Sequence, residues 1–178
     1  MDYLLIFVRC LVGGTFAVAA LLKLADRGGL ADMIRALRIV PRHRVPALAY
    51  ATIGAELGTA TLCAVNPAAP LGLGLGAVLL VVFAAAAARA QRIRVTISCR
   101  CFGRRGAPLG RRQIVRNSAI AALSLAALVT TLLRGGGHPP LTGWVVVLSV
   151  AAAVTTLLLV VFLDEIVELI LPSTQQEA

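Results

Sequence analysis

The sequence predicts an all-α fold: a polytopic transmembrane helical bundle of about four to five spans, plus a short interfacial amphipathic helix. Three observations lead there. Of 178 residues, 59% are hydrophobic and only 14% are charged, with a mean hydropathy of +0.90. One soluble core of this size cannot enclose so much apolar surface. The apolar residues also fall into runs of roughly 20, the length that crosses a hydrocarbon core of about 30 Å at about 1.5 Å per residue. Finally, the arginines gather in short segments between those runs, as in wet loops joining helices in lipid.

The net charge is +9 and the isoelectric point about 11.0. In a soluble chain such a balance suggests nucleic acid. Here the basic residues flank apolar runs, where they set orientation, so the partner is the lipid bilayer and not nucleic acid. The first ten residues have no basic leader, and Arg9 falls inside the first apolar run. The first segment is therefore read as a retained helix and not as a cleaved signal peptide.

The first span covers residues 3–22 and ends at Lys23, whose stem can snorkel to the headgroups. In the linker 25–44, Leu30, Met33, Ile34 and Leu37 recur at helical spacing, with Arg27, Asp32, Arg35 and Arg38 on the other faces. Asp26 suits the N-cap and Pro41 closes the segment, predicting a short amphipathic helix in the interface. The second span covers 45–65 and ends at the Asn66-Pro67-Ala68-Ala69-Pro70 breaker. The third covers 71–90, the fourth 114–133 and the fifth 144–163, with Trp144 suited to a membrane interface. Residues 1–171 form a single transmembrane domain, and 172–178 are a short polar tail. Gly54 and Gly58 on span two, and Gly72 and Gly76 on span three, make GxxxG spacings that permit close helix packing. Such spacings also arise by chance in glycine-rich spans.

Orientation follows from lysine and arginine. The first linker carries Lys23, Arg27, Arg35, Arg38, Arg42 and Arg44. The third carries Arg92, Arg94, Arg100, Arg104, Arg105, Arg111, Arg112 and Arg116. The second has none and the fourth only Arg134. The N-terminus is then expected outside, with the C-terminus and the third linker in the cytoplasm.

The third linker holds the sharpest chemical feature, Ser98-Cys99-Arg100-Cys101-Phe102-Gly103. Two cysteines one residue apart close only a strained disulfide, which suits exchange better than bracing. Arg100, Arg104 and Arg105 favour the thiolate, the reactive form. Two plain thiols in a loop, or half of a metal site with His43 as a further ligand, are the alternatives. Cys10 and Cys63 read as small apolar filler, because flush helices would leave them about 8 Å apart in depth.

Glu56, near the middle of span two, is costly in lipid and must face the interior. Arg9, at a similar depth on span one, is its expected partner; such a pair either fixes packing or serves a proton or quinone site. Asn117 is placed to cap span four or reach the arginine-rich loop. No Ser/His/Asp set, HExxH or phosphate-cradling loop occurs, so hydrolase and nucleotide chemistry have no support.

Gly14-Thr15-Phe16, Lys23-Leu24, Ile39-Val40-Pro41 and Ala55-Glu56-Leu57-Gly58 resemble the opening half of DoxX-like membrane proteins. Cys99-Arg100-Cys101-Phe102-Gly103 followed by Arg116-Asn117 resembles the MauE branch, the methylamine-utilisation membrane proteins. The resemblance covers residues 4 to 163. It implies a bundle in the bacterial inner membrane linked to thiol–disulfide metabolism. Cys99, Cys101, Phe102 and Gly103 stand at the motif positions and Lys23 and Glu56 at DoxX-like ones, while Arg100 stands where glycine is common.

The expected function is disulfide exchange or electron relay through Cys99 and Cys101, in the manner of a thiol–disulfide oxidoreductase, supporting maturation of extracytoplasmic thiol proteins. The expected partners are a thioredoxin-like protein or an extracytoplasmic disulfide-containing protein, with quinone as the candidate cofactor. Maturation outside conflicts with a cytoplasmic Cys-x-Cys loop, unless electrons cross the membrane, the loop folds into it, or the resemblance misleads about direction. Two other classes stay open. One is a non-catalytic subunit or assembly factor that binds a partner through small-residue helix faces. The other is a small proton-coupled transporter using Glu56.

Overall fold

The computed structural model describes residues 2–93 and 111–134, together with helical residues at 143–144, 147–148, 150–156 and 158. Among the described residues up to 134, five α-helices follow one another: α1 (Asp2–Ala25), α2 (Arg27–Leu37), α3 (Val45–Ala64), α4 (Ala69–Arg92) and α5 (Arg111–Leu133). Among the described residues there is no strand. The protein is a membrane helical bundle: the segments Tyr3–Ala25, Asn66–Arg92 and Arg111–Leu133 are long and apolar enough to cross a bilayer. α3 has 20 residues and is not among those segments. It carries Glu56 and several threonines, whose hydroxyls bond back to carbonyls one turn earlier (Thr52 to Leu48, Thr59 to Ala55, Thr61 to Leu57, each 2.8 Å).

The interior is where the apolar stripes meet. Val8, Val12 and Phe16 of α1 pack against Cys63 of α3, Leu73 and Leu80 of α4, and Ile120 of α5. The outside is apolar too, with Leu71 at 70% exposure and Leu132 and Val78 also bare, as a lipid-facing surface requires. α4 and α5 lie side by side, and the buried Ser124 hydroxyl donates 2.8 Å to the Leu73 carbonyl across them.

Local signals set the helix ends. Asp26 caps α2, its carboxylate accepting from the Gly29 amide at 3.0 Å. Arg38 ends α2 in the left-handed region at φ 49°, a geometry usually given to glycine. The Arg89 side chain holds that end, donating 3.2 Å to the Leu37 carbonyl. Prolines 67 and 70 sit where a 3₁₀ turn (Asn66–Ala68) and α4 begin, positions that need no backbone donor.

The apolar face of α2 is not spent on the membrane interface. Leu30 and Ile34 are buried with Val45, Ala49 and Ile53 of α3, and Leu37 with Ala87 and Ala90 of α4. The two GxxxG pairs also behave differently. An added methyl at Gly72 would lie 2.7 Å from the Cys63 backbone nitrogen, and one at Gly76 would lie 2.9 Å from Val12. Gly54 and Gly58 have nothing within 4 Å among the described residues, so there the α4 pair, and not the α3 pair, brings helices together.

The N-terminal part of α1, the turn between α3 and α4, and residue 144 share one end of the bundle. Arg9 reaches Asn66 of that turn, and the Tyr3 and Trp144 rings lie 5.8 Å apart. The remainder of the expected fifth span, the tail 172–178, and Cys99, Arg100, Cys101, Phe102 and Gly103 lie outside the described residues.

Candidate functional site

At the opposite end of the bundle, Lys23 of α1 and Glu56 of α3 form a buried ion pair, with the ammonium on Glu56 Oε1. Lys23 is 6% exposed and Glu56 0%. This corrects two expectations. Lys23 does not snorkel outward, and Arg9 is not the partner of Glu56.

The reason is stagger between α1 and α3. Arg9 stands level with the end of α3, its guanidinium donating to the Cys63 carbonyl (3.0 Å), the Ala64 carbonyl (3.4 Å) and Asn66 Oδ1 (2.8 Å). From Arg9 to Lys23 is about 21 Å along α1, and from Ala64 back to Glu56 about 12 Å along α3. Helical side chains lean towards the N-terminus. The long Lys23 stem therefore turns back from the end of α1 and makes up most of the difference.

The same stagger reduces the depth offset expected between Cys10 and Cys63. A methyl at Gly13, one turn after Cys10, would lie 3.1 Å from Cys63 Cβ. Both cysteines are nonetheless free thiols, Cys63 buried and Cys10 half-buried. Cys63 fills the gap between Gly13 and Gly72, as small apolar filler would.

The ion pair borders a cavity of about 230 Å³. Its walls are mostly apolar, drawn from Phe16 of α1, Leu30 and Ile34 of α2, and Leu80 and Phe83 of α4. The Lys23 ammonium lies 4.5 Å from the centroid of the Phe83 ring, a cation–π contact that adds to the pair. On the α5 side the cavity meets Gln113, Arg116 and Asn117. Asn117 is not a helix cap: α5 starts earlier, at Arg111, which puts Asn117 in the second turn, buried and facing inward.

One atom of the pair stands out. Glu56 Oε2 is buried and has no hydrogen-bond partner among the described residues. Leaving a buried acceptor unsatisfied costs about 1–3 kcal/mol, and more for a charged group. That cost makes Glu56 the candidate around which the site is built.

The sequence pointed to Lys23, Glu56 and Asn117 singly but gave no sign that they share one cavity. The signal within reach was the apolar stripe of α2. Leu30, Ile34 and Leu37 need an apolar cover, and α3 and α4 supply it, with Lys23 and Glu56 next to the seam. Phe83 carried no separate signal, since an aromatic residue in an apolar span reads as core.

No curated protein and no solved structure matches the chain. Residues 1–131, well over half of its length, match the model of a protein family described as methylamine utilisation protein MauE. That match runs from the start of α1 almost to the end of α5 and takes in the ion pair, the cavity and the Cys-x-Cys segment. The chain belongs to the MauE family of membrane proteins.

Proposed function

We propose that this protein is a thiol–disulfide exchange protein of the bacterial inner membrane, acting through Cys99 and Cys101. The observation that carries the reading is the Cys99-Arg100-Cys101 pair in a segment joining two membrane helices of a MauE-family chain. In the forward step one thiolate of the pair attacks a partner disulfide, forming a mixed disulfide and releasing one partner thiolate. The neighbouring thiol, losing its proton, attacks the mixed disulfide and releases the second. The pair ends oxidised and the partner reduced by two electrons, and the reverse sequence oxidises a partner dithiol. Arg100 and the arginines after it hold the attacking sulfur as thiolate.

With the N-terminus outside, the pair faces the cytoplasm and its partner is thioredoxin-like; with the opposite orientation the partner is an extracytoplasmic disulfide protein. Labelling of a Cys10→Ala/Cys63→Ala variant with a membrane-impermeant maleimide in intact and lysed cells tests both points. Labelling only after lysis and reduction is the expected result, a cytoplasmic pair held as a disulfide. Labelling of intact cells reverses the orientation. Free thiols under every oxidant condition overturn the exchange reading.

A second reading is favoured by one feature, the α3 face at Gly54 and Gly58, which no described residue covers within 4 Å. There the protein is a non-catalytic subunit that docks a partner helix on that face, and Cys99→Ser/Cys101→Ser leaves its function intact.

A further inference from the structure

We infer that the cavity between α1, α2, α3 and α4 is a binding site for a neutral, lipid-borne ring compound bearing a hydroxyl, of the hydroquinone class, whose hydroxyl donates to Glu56 Oε2. The inference stands independently of disulfide exchange at Cys99 and Cys101.

Size comes first. The cavity holds about 230 Å³. That is more than the roughly 150 Å³ apolar cavity that accommodates benzene. It is less than the roughly 300 Å³ at which sites for whole drug-sized ligands begin. One substituted ring fits, and anything longer must extend outside.

Charge comes second. Lys23 and Glu56 already neutralise each other. Arg116, the third charged residue on the lining, has an interaction of its own. A charged ligand would therefore add an uncompensated charge to a buried, mostly apolar surrounding, so the ligand is neutral. Hydrogen bonding comes third. Glu56 Oε2 is a buried acceptor with no partner among the described residues, so the ligand brings a donor. The side-chain amides of Gln113 and Asn117, also on the wall, donate or accept and so suit a second ring oxygen.

The walls and the mouth complete the assignment. Phe16 and Phe83 offer faces and edges to a ring. The exposed members of the lining are apolar, Ile39 at 51% and Val82 at 52%, so the open side admits an apolar tail. A water-soluble ligand would call for polar residues there.

The test uses the full chain in lipid nanodiscs, titrated calorimetrically with decylhydroquinone against empty nanodiscs. Saturable binding of one molecule per chain is expected. The dimethyl ether of the same compound, which keeps ring and tail but has no donor, should bind about tenfold or more weakly. Val82→Trp, a change at an exposed position, should weaken decylhydroquinone binding by closing the mouth. Glu56→Leu combined with Lys23→Met, which leaves no buried charge behind, should abolish the preference for the hydroxyl compound over its ether. Equal binding of the ether by the natural chain overturns the inference and marks the cavity as a slot for any apolar chain. Undiminished binding in Val82→Trp overturns it by placing the ligand elsewhere.

Discussion

Lys23 donates to Glu56 Oε1 across 33 residues of sequence, joining the end of α1 to the middle of α3 inside the bundle. The pair closes one end of the α1–α3 contact, while Arg9 clasps the other.

Breaking the pair from one side leaves a buried charge. Lys23→Met should therefore lower stability by about 3–5 kcal/mol. Glu56→Leu should do the same by stranding the ammonium. The double variant should recover most of the loss, since replacing both partners by apolar groups is often neutral. A double-mutant cycle on detergent unfolding measures it, and simple additivity of the two losses would refute the coupling.

The two GxxxG pairs should respond oppositely to added methyl groups. Gly72→Ala places its methyl 2.7 Å from the Cys63 backbone nitrogen and 2.9 Å from the Leu62 carbonyl carbon, neither of which moves without shifting α3. A loss of about 1–3 kcal/mol is expected. Gly54→Ala meets open space and should be neutral or stabilising by up to about 1 kcal/mol within the chain. Thermal unfolding of the purified variants separates the two. A large loss from Gly54→Ala in the cell but not in purified protein would indicate a partner on that face.

Arg9 makes three hydrogen bonds to the end of α3 and the turn beyond it. Arg9→Met should cost about 1.5–3 kcal/mol, the range for hydrogen bonds to a charged group. Arg9→Lys should restore only part of it, because a single ammonium does not reproduce the planar fork of guanidinium donors. Full rescue by lysine, read from the unfolding midpoint, would show that charge alone matters there.

Much of the architecture was legible in the residues. The amphipathic helix predicted in the linker 25–44 is α2, with Asp26 at its N-cap as expected. The segment expected as a second helix, 45–65, is α3 at Val45–Ala64, and the breaker at 66–70 holds the turn Asn66–Ala68 that joins α3 to α4. These features are local: a cap needs an acceptor near the first amides, and a span needs about 20 apolar residues. The start of span four was placed three residues late, at 114 instead of Arg111. Arginines there read as loop, although arginine is a good helix former.

The sequence by itself determined that this chain is a helical membrane bundle, where its helices run, and that Glu56 needs a buried partner, because hydropathy, capping and the cost of burying charge act through composition and short spacing. Only the tertiary structure decided which partner that is. The choice between Arg9 and Lys23 depends on how far α1 slides along α3, a displacement set by the close contacts at Gly13 and Gly76 and by the Arg9 clasp. No local pattern encodes that displacement. The tertiary structure alone likewise brought Lys23, Glu56, Phe83 and Asn117, from four separate helices, onto one cavity of about 230 Å³.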